Sequence, residues 1–405
     1  MQPIRLAVIF DQTINTGGGY QQALSSALLA LKLPKELVEI VFFTTFKENV
    51  AILASKGIQA KIIDLSFFEK VRGMLREKIL NTYFFRLIKK IEQYSPFEKK
   101  LIDNQIDFIY FLSPSNLPQH LEKLNYITTL WDLCHRDDPE FPEVRLNKEF
   151  EKRDQKYQKI LPRATAILVD SKLSMMNAAH RYGVNLERIH IMPFLPAETT
   201  RNNITTNSDK NLNIHEKFKV DRYVFYPAQF WAHKNHTYLL EGLSLLEQRY
   251  NLKIAAIFSG EDKGNQKHVE SYARKLKLED RIRFAGFVTN EEIVELYCQS
   301  IALVMPSYFG PTNLPPLEAF QLGVPVLYSD KAGFRDQVDE AALLMDLKNP
   351  NSMALHLKNL IEKKQLREQL IAAGYTRLKH FDAYDRIKIL RDIIEDFRCR
   401  RSCWD

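Results

Sequence analysis

Residues 305–326 read MPSYFGPTNLPPLEAFQLGVPV, and this stretch is the most informative part of the chain for predicting its fold. An apolar strand ends at Met305, a loop runs to Asn313, a helix starts near Pro315, and a second apolar run follows. Thr312 or Asn313 can serve as the helix N-cap, and proline is tolerated in the first turn because its missing N–H would be unpaired there. A strand that leads through a helix into another strand is the repeating unit of a parallel, doubly wound sheet.

Outside this stretch, short apolar runs alternate with amphipathic segments along both halves of the chain. The runs that predict strands are Ile4–Phe10, Glu39–Thr44, Ala60–Leu65, Phe108–Leu112, Tyr126–Leu130, Ala166–Val169, Tyr223–Tyr226, Ile254–Phe258, Ile282–Phe284, Ala302–Met305 and Val324–Tyr328. Segments with helical periodicity include Tyr20–Leu33, Tyr238–Tyr250 and Asn290–Cys298. This alternation predicts an α/β fold with two Rossmann-like, doubly wound domains.

The length of 405 residues also favours two domains, and the polar stretch rich in Asn and Thr after Pro196 marks the boundary between them. The predicted parts are an N-terminal domain of residues 1–196, a linker of 197–214, a C-terminal domain of 215–380 and a C-terminal helix of 381–405. We expect this last helix to pack back on the N-terminal domain. Two such domains would leave a ligand cleft at the carboxyl ends of both sheets.

Composition excludes several classes of protein. Hydrophobic residues make up 45% of the chain and charged residues 26%, which is typical of a globular protein. No apolar run is long enough for a signal peptide or a membrane span, so we expect a cytoplasmic protein. Four scattered cysteines do not form a disulfide framework or a zinc site. We expect no metal site and no cofactor.

The net charge of +7 is concentrated in residues 70–100, where nine bases face three acids and leave +6. Apolar residues interleave with these bases, so the stretch fits an amphipathic helix that lies on the anionic inner face of the plasma membrane. The alternative is a helix that packs on the core with a solvated basic face. No nucleic-acid recognition motif accompanies the bases, so we expect no nucleic-acid partner.

The helix near Pro315 has a positive dipole end that suits a pyrophosphate, and Glu318 lies one turn into it. A carboxylate there could accept hydrogen bonds from the two hydroxyls of a ribose. The alternative is a buried proline-rich turn with a surface glutamate. The segment resembles the nucleotide-sugar signature of the retaining GT-B glycosyltransferases numbered four in the sequence classification, E-G-F-G-L-P-x-L-E-A followed by x-x-G-x-P-V. The positions that match are Leu314, Pro315, Leu317, Glu318, Ala319, Gly323, Pro325 and Val326.

The resemblance implies that Glu318 binds the nucleotide ribose and that Thr312, Asn313 and Leu314 lie at the donor. The first glutamate of the family pattern is absent, because its position falls on Gly310. Thr312 and Asn313 could fill that place.

Residues 225–240 read FYPAQFWAHKNHTYLL and resemble the strand, loop and helix with which the family holds the donor diphosphate. Lys234 stands at the lysine of that pattern, whereas Ala228 and Gln229 occupy the region of its arginine. The point charge of a lysine suits a phosphate. His233 and His236 have a metal-like spacing, but no third ligand presents itself.

Three further segments resemble parts of the family's site. Gly17, Gly18 and Gly19 follow the first strand and resemble the glycine loop that lies over the donor phosphates. At the end of another strand, Trp131 replaces a histidine of the family, and Asp132 and His135 are candidate catalytic residues. The alternative is that Asp132 caps the next segment and His135 is exposed. Gly260, Phe287 and Val288 are the remaining donor-binding candidates.

The resemblance therefore implies a metal-independent, retaining hexosyltransferase with Asp132, His135, Lys234 and Glu318 as candidate catalytic residues. The expected donor is a nucleotide sugar, with GDP-mannose as the best guess. The expected acceptor is a glycan or lipid-linked sugar in the synthesis of a cell-surface polysaccharide or lipopolysaccharide. Two alternatives remain: a non-catalytic nucleotide-sugar-binding subunit, or a nucleotide-sugar epimerase of the same fold.

Overall fold

The computed structural model describes residues 2–13, 18–65, 67–69, 71, 94–197, 200 and 212–404. They form two compact units, each built around its own parallel sheet. The first unit comprises Met1–Trp131, Lys152–Pro193 and Asp385–Asp405, and the second comprises Asp132–Glu151 and Phe194–Tyr384. The predicted N-terminal domain of 1–196 includes residues 132–151, whereas contacts group this segment with the second unit. Most of the predicted linker of 197–214 lies outside the described residues.

The first unit contains a seven-stranded sheet in the order β3-β2-β1-β4-β5-β6-β7. Its strands are β1 Ile4–Phe10, β2 Val38–Thr44, β3 Ala60–Ile62, β4 Phe108–Phe111, β5 Asn125–Leu130, β6 Ala166–Val169 and β7 Ile189–Ile191. Its helices include Gly18–Ala30, Glu48–Ser55, Pro96–Asp103, Lys172–Tyr182 and Arg386–Arg401, and Glu149–Ile160 begins at its boundary. Every recorded strand pair in it is parallel.

The C-terminal helix Arg386–Arg401 belongs to this first unit. The Phe397 ring stacks on Phe108 of β4 with a centroid separation of 4.0 Å. Arg401 forms an ion pair of 2.5 Å with Asp107 at the start of the same strand. Apolar burial of Ile394 and Phe397 thus joins the end of the chain to the first sheet.

The second unit contains a six-stranded parallel sheet in the order β10-β9-β8-β11-β12-β13. Its strands are β8 Tyr223–Pro227, β9 Ala255–Ser259, β10 Ile282–Gly286, β11 Leu303–Met305, β12 Val326–Ser329 and β13 Ala342–Met345. Its helices include Cys134–Asp137, Pro142–Arg145, Ile214–Phe218, His236–Tyr250, Gln266–Lys275, Asn290–Cys298, Leu314–Gln321, Ala332–Val338, Asn351–Glu362 and Lys364–Asp382. The four inner strands, β9, β8, β11 and β12, are almost wholly buried, as parallel strands covered on both faces must be.

Both sheets are doubly wound, so the predicted fold class is confirmed for each unit. The order reverses beside β1 in the first sheet and beside β8 in the second. Ligands of doubly wound folds bind at the carboxyl ends of the strands where the order reverses. In the second unit this point lies between β8 and β11, the two strands that precede the loops with the sequence-predicted donor residues.

Candidate donor site at the carboxyl edge of the second sheet

Lys234 lies in the loop between β8 and the helix His236–Tyr250. Residues 232–234 form a short 3-10 turn, and Asn235 takes a left-handed conformation with φ 54° before the helix begins. The Lys234 carbonyl accepts a hydrogen bond of 2.9 Å from Tyr226 Oη, which joins the loop to β8. Among the described residues no carboxylate lies within ion-pair distance of Lys234 Nζ. Among the described residues, the loop therefore places at the switch point a lysine ammonium group that no carboxylate contacts directly.

Burial of the Lys234 side chain destabilises its charged form. The side chain is partly buried, and burial lowers its pKa to about 8 although the Asp132 and Glu143 carboxylates act in the opposite direction. A buried cation is stabilised when an anion binds beside it. Lys234 is therefore suited to bind an anionic ligand such as a diphosphate.

Glu318 lies in the helix Leu314–Gln321, which follows β11. Its Oε2 accepts a hydrogen bond of 2.9 Å from Tyr297 Oη, and the Tyr297 side chain is fully buried. Burial raises the pKa of Glu318 to about 6, and the bond from Tyr297 opposes this rise. Because Tyr297 holds one oxygen, the other oxygen remains available to accept from a ligand hydroxyl. The surface-glutamate alternative is wrong, because Glu318 is partly buried and held by a core residue.

The N-terminus of this helix offers few backbone N–H donors to a pyrophosphate. Asn313 is the N-cap residue, as predicted, but its side chain forms no capping hydrogen bond. Positions 315 and 316 are both proline, so the first turn has N–H groups only at Leu314 and Leu317. The helix dipole remains, but a row of free N–H groups for a pyrophosphate does not exist here.

The loop before this helix shows what stands at the position of the missing glutamate. Gly310 has φ +118°, and an added Cβ would lie 2.7 Å from Asn313 Nδ2 and from the Thr312 carbonyl oxygen. The Asn313 amide donates to the Phe309 carbonyl at 3.2 Å and to Tyr328 Oη at 2.7 Å. The space beside Gly310 is therefore filled by the Asn313 amide, and no side chain fits there.

The Asn313 backbone is held equally firmly. Its N–H donates to Gln337 Oε1 at 3.0 Å, and its carbonyl accepts from Gln337 Nε2 at 2.6 Å. Tyr328 Oη also donates to Gln337 Oε1, at 3.1 Å. This buried, mutually hydrogen-bonded set fixes the loop without a ligand.

Asp132 and His135 both lie in the 132–151 segment of the second unit. Asp132 Oδ1 accepts a hydrogen bond of 2.9 Å from the Cys134 N–H, so Asp132 does cap the turn that follows it. His135 is fully buried with its ring edge toward Phe150, and the alternative that placed it at the surface is wrong. Asp132 also contributes negative charge near Lys234, as its effect on the pKa of that lysine shows.

Gly260, Phe287 and Val288 follow β9 and β10 at the same edge of the sheet. An added Cβ at Gly260 would lie 2.6 Å from the Ala228 carbonyl oxygen, so this glycine allows two loops to pack closely. The Phe287 side chain is 62% exposed, which leaves a ring face free for a planar ligand. Val288 packs against the core of the unit.

Residues 207–377 match the family model described as "Glycosyl transferases group 1". This range includes every donor-site residue of the second sheet described above. The chain carries a domain of the group 1 glycosyltransferase family.

One relative and two solved structures are similar to this chain over a longer range than the group 1 domain. The O-antigen chain mannosyltransferase B of Escherichia coli is 26% identical over 291 residues, which span 68% of this chain and 71% of that protein. A glycosyltransferase from Rickettsia africae is 14% identical and superposes with a TM-score of 0.70, over 98% of this chain and 99% of that one. Anabaena HepE in complex with UDP and glucose is 15% identical with a TM-score of 0.69, over 98% and 100%. These likenesses confirm the GT-B fold class.

The predicted glycine loop of Gly17, Gly18 and Gly19 belongs to the first unit, outside the residues 207–377 that match the family model. Gly17 lies outside the described residues, and Gly18 and Gly19 begin the helix Gly18–Ala30. An added Cβ at Gly19 would lie 2.7 Å from Cη2 and Cζ3 of Trp131. The six-membered ring of Trp131 therefore packs against the start of the helix, where only glycine leaves room for it.

Asp11, Tyr297 and Glu143 follow a strand end or contact residues of the candidate site, although the sequence alone did not identify them. Asp11 follows β1 and accepts a hydrogen bond of 3.2 Å from Ser113 Oγ, and burial raises its pKa. Because Asp11 directly follows a strand, the sequence could have predicted it as a candidate site residue. Tyr297 and Glu143 carried no such signal, because their contacts depend on how distant parts of the chain pack.

Most of the basic stretch of residues 70–100 lies outside the described residues. Among those described, no group of three or more histidines, cysteines or acids could hold a metal ion. No helix in the described part of the chain is long and apolar enough to cross a membrane.

Proposed function

We propose that the chain transfers a hexose from a nucleotide sugar, with GDP-mannose as the expected donor, to a glycan or lipid-linked acceptor in the synthesis of a cell-surface polysaccharide. The observation that carries the proposal is the placement of Lys234 and Glu318. They follow β8 and β11, which are neighbours in the second sheet, inside the range that matches the group 1 family. The lysine supplies a cation for a diphosphate, and the glutamate supplies an acceptor for ribose hydroxyls.

The choice of sugar rests on the relative from Escherichia coli, whose name describes a mannosyltransferase of the O-antigen chain. The Anabaena structure binds UDP and glucose, so a UDP-sugar is the competing donor. Because the exposed Phe287 ring can stack on a purine or a pyrimidine alike, the site itself favours neither base.

We expect retention of configuration without a metal ion. In such a reaction the departing diphosphate gains negative charge, and a fixed cation lowers the barrier most when it is placed where that charge develops. Lys234 occupies that role in the proposal, and the helix dipole at Leu314 adds to it. No nucleophilic side chain is needed.

The experiment supplies the protein with GDP-mannose or UDP-glucose, with and without a synthetic alkyl mannoside or glucoside as acceptor. Acceptor-dependent release of GDP or UDP, unaffected by EDTA, with a product of the same anomeric configuration by ¹H NMR, would support the proposal. Conversion of the donor sugar without an acceptor would favour the epimerase. Nucleotide binding without turnover on any acceptor would favour the non-catalytic subunit.

Membrane association is a separate part of the proposal. Phe67 and Phe68 are 75% and 78% exposed and directly precede the basic stretch of residues 70–100. Exposed aromatic residues beside clustered bases fit an anionic lipid surface. We expect the protein to float with vesicles that contain phosphatidylglycerol at low salt, and the Phe67→Ser/Phe68→Ser variant to float less. Equal recovery with neutral phosphatidylcholine vesicles would contradict this.

A further inference from the structure

The 132–151 segment contacts three different loops at the carboxyl edge of the second sheet. These loops follow β8, β11 and β12. The contacts are Glu143 with His233, Cys134 Sγ with the Gly310 N–H at 3.1 Å, and Asp138 Oδ2 with Lys331 Nζ at 2.8 Å. One short piece of chain therefore contacts the loop of Lys234, the loop of Gly310 and the loop that follows β12.

The contact at Glu143 involves two groups of the residue just before Lys234. Glu143 Oε1 accepts a hydrogen bond of 2.9 Å from the His233 backbone N–H and a second one from its Nδ1. Both side chains are about one-tenth exposed. A carboxylate that accepts from a backbone N–H and a ring N–H of one residue fixes both its main chain and its side chain.

His233 passes this restraint to the loop after β11. Its ring stacks on Phe309 with a centroid separation of 4.0 Å and an angle of 7°. Its carbonyl accepts a hydrogen bond of 2.8 Å from the Tyr308 N–H. The position of the Lys234 loop relative to the loop of Gly310 thus depends on His233.

The charge states make this a strong contact. Burial lowers the pKa of His233 to about 4, so its ring is neutral at pH 7 and donates through Nδ1. Burial alone would raise the pKa of Glu143, but the hydrogen bonds from His233 outweigh this effect and keep it below its usual value. A charged acceptor with neutral donors gives charge-assisted hydrogen bonds, which are stronger than neutral ones.

We propose that Glu143 is a positioning residue that holds the Lys234 loop, through His233, in the geometry that binds the donor diphosphate. The inference rests on the proposed donor site. It adds that a carboxylate from the first half of the sequence is required for the lysine to reach the phosphate farthest from the nucleoside.

The groups that face Lys234 shift its pKa, and Glu143 is one of them. They are Asp132, Cys134 and Glu143 from the 132–151 segment, His233 from its own loop, and His236 at the start of the following helix. Both histidines are neutral at pH 7, since burial lowers the pKa of His236 to about 3. Replacement of Glu143 by glutamine removes one negative neighbour, so Lys234 loses its proton at a lower pH.

The experiment compares the binding of GDP with GMP, or of UDP with UMP if the uridine class binds the wild type. The variants are Glu143→Ala, Glu143→Gln and Lys234→Ala, and the control is Glu140→Gln, an exposed acid on the same segment. We expect Glu143→Ala to weaken the diphosphate by about 10- to 100-fold, the range produced by loss of charge-assisted hydrogen bonds. The monophosphate should weaken by less than about threefold, because it lacks the phosphate that Lys234 holds.

Two further results separate positioning from general damage. The Glu143→Ala/Lys234→Ala double variant should bind GDP no more weakly than Lys234→Ala alone, since both changes remove the same interaction. Glu143→Gln keeps a neutral acceptor for His233, so it should lose less GDP affinity at pH 7 than Glu143→Ala, and its further loss of affinity on raising the pH should begin at a lower pH than in the wild type.

Equal weakening of GDP and GMP, additive effects in the double variant, or a Gln variant as weak as the Ala variant would each overturn the inference. If Lys234→Ala loses GDP but Glu143→Ala does not, this inference fails and the proposed function stands. If the wild type binds no nucleoside diphosphate, both fail.

Discussion

Replacement of Lys234 by methionine should stabilise the protein without ligand and abolish its donor binding. The reason is that the native fold keeps this ammonium partly buried, with a pKa of about 8 against an ordinary value of 10.5. A shift of this size corresponds to about 3 kcal/mol as an upper limit, at 1.36 kcal/mol per unit. Because the side chain retains some exposure to water, we expect a gain of about 1–2 kcal/mol.

The pH dependence of this gain has a definite sign. The folded pKa lies below the unfolded one, so the unfolded state binds more protons between about pH 8 and 10.5 and the stability of the wild type rises across that window. The advantage of Lys234→Met is therefore full below pH 8 and disappears toward pH 10.5.

Differential scanning calorimetry of the two proteins at pH 7 and pH 10 measures the effect. For a unit of this size, 1–2 kcal/mol corresponds to a rise in Tm of about 2–8 °C. Lys348→Met, at an exposed lysine, is the matched control and should change little. A variant that melts below the wild type at pH 7, or that retains affinity for nucleoside diphosphates, would refute the account of Lys234.

Three other substitutions give further tests. Tyr297→Phe removes the hydrogen bond to Glu318 and should weaken nucleotide binding by about three- to tenfold in titration calorimetry, whereas unchanged affinity at every pH would argue against a ribose contact. Gly310→Glu restores the family's missing glutamate, but φ +118° and the Asn313 amide leave it no room, so it should lower Tm rather than raise kcat. Gly19→Ala forces the tryptophan ring off the helix and should shift its fluorescence emission, and an unchanged spectrum would show that the contact is loose.

Most strands could be predicted from their apolar runs, whereas two short strands at sheet edges could not. The run at Ala166–Val169 was located to the residue, as was the helix Asn290–Cys298. The strands Ile189–Ile191 and Ala342–Met345 were missed, because three or four residues at a sheet edge carry little periodic signal.

Side-chain partners were predictable only where they are local. Ser171 follows a strand and precedes a helix, and its side chain caps that helix. The bond from Tyr297 to Glu318 spans 21 residues and that from His233 to Glu143 spans 90, so neither leaves a pattern in the local sequence. The position of the Asn313 amide beside Gly310 could not be predicted from the sequence either. This amide is held by a hydrogen bond to Tyr328 in the next strand, not by its neighbours along the chain.

The central claim is that Lys234 and Glu318 form a nucleotide-sugar site on the second unit. Thermal-shift measurement with UDP-, GDP-, dTDP- and CMP-sugars, repeated on Glu318→Ala and Lys234→Ala, tests it most directly. The account predicts stabilisation of the wild type by one nucleotide class, with GDP-mannose expected, and no stabilisation of either variant. Absence of any shift in the wild type, or equal shifts in the variants, would contradict it.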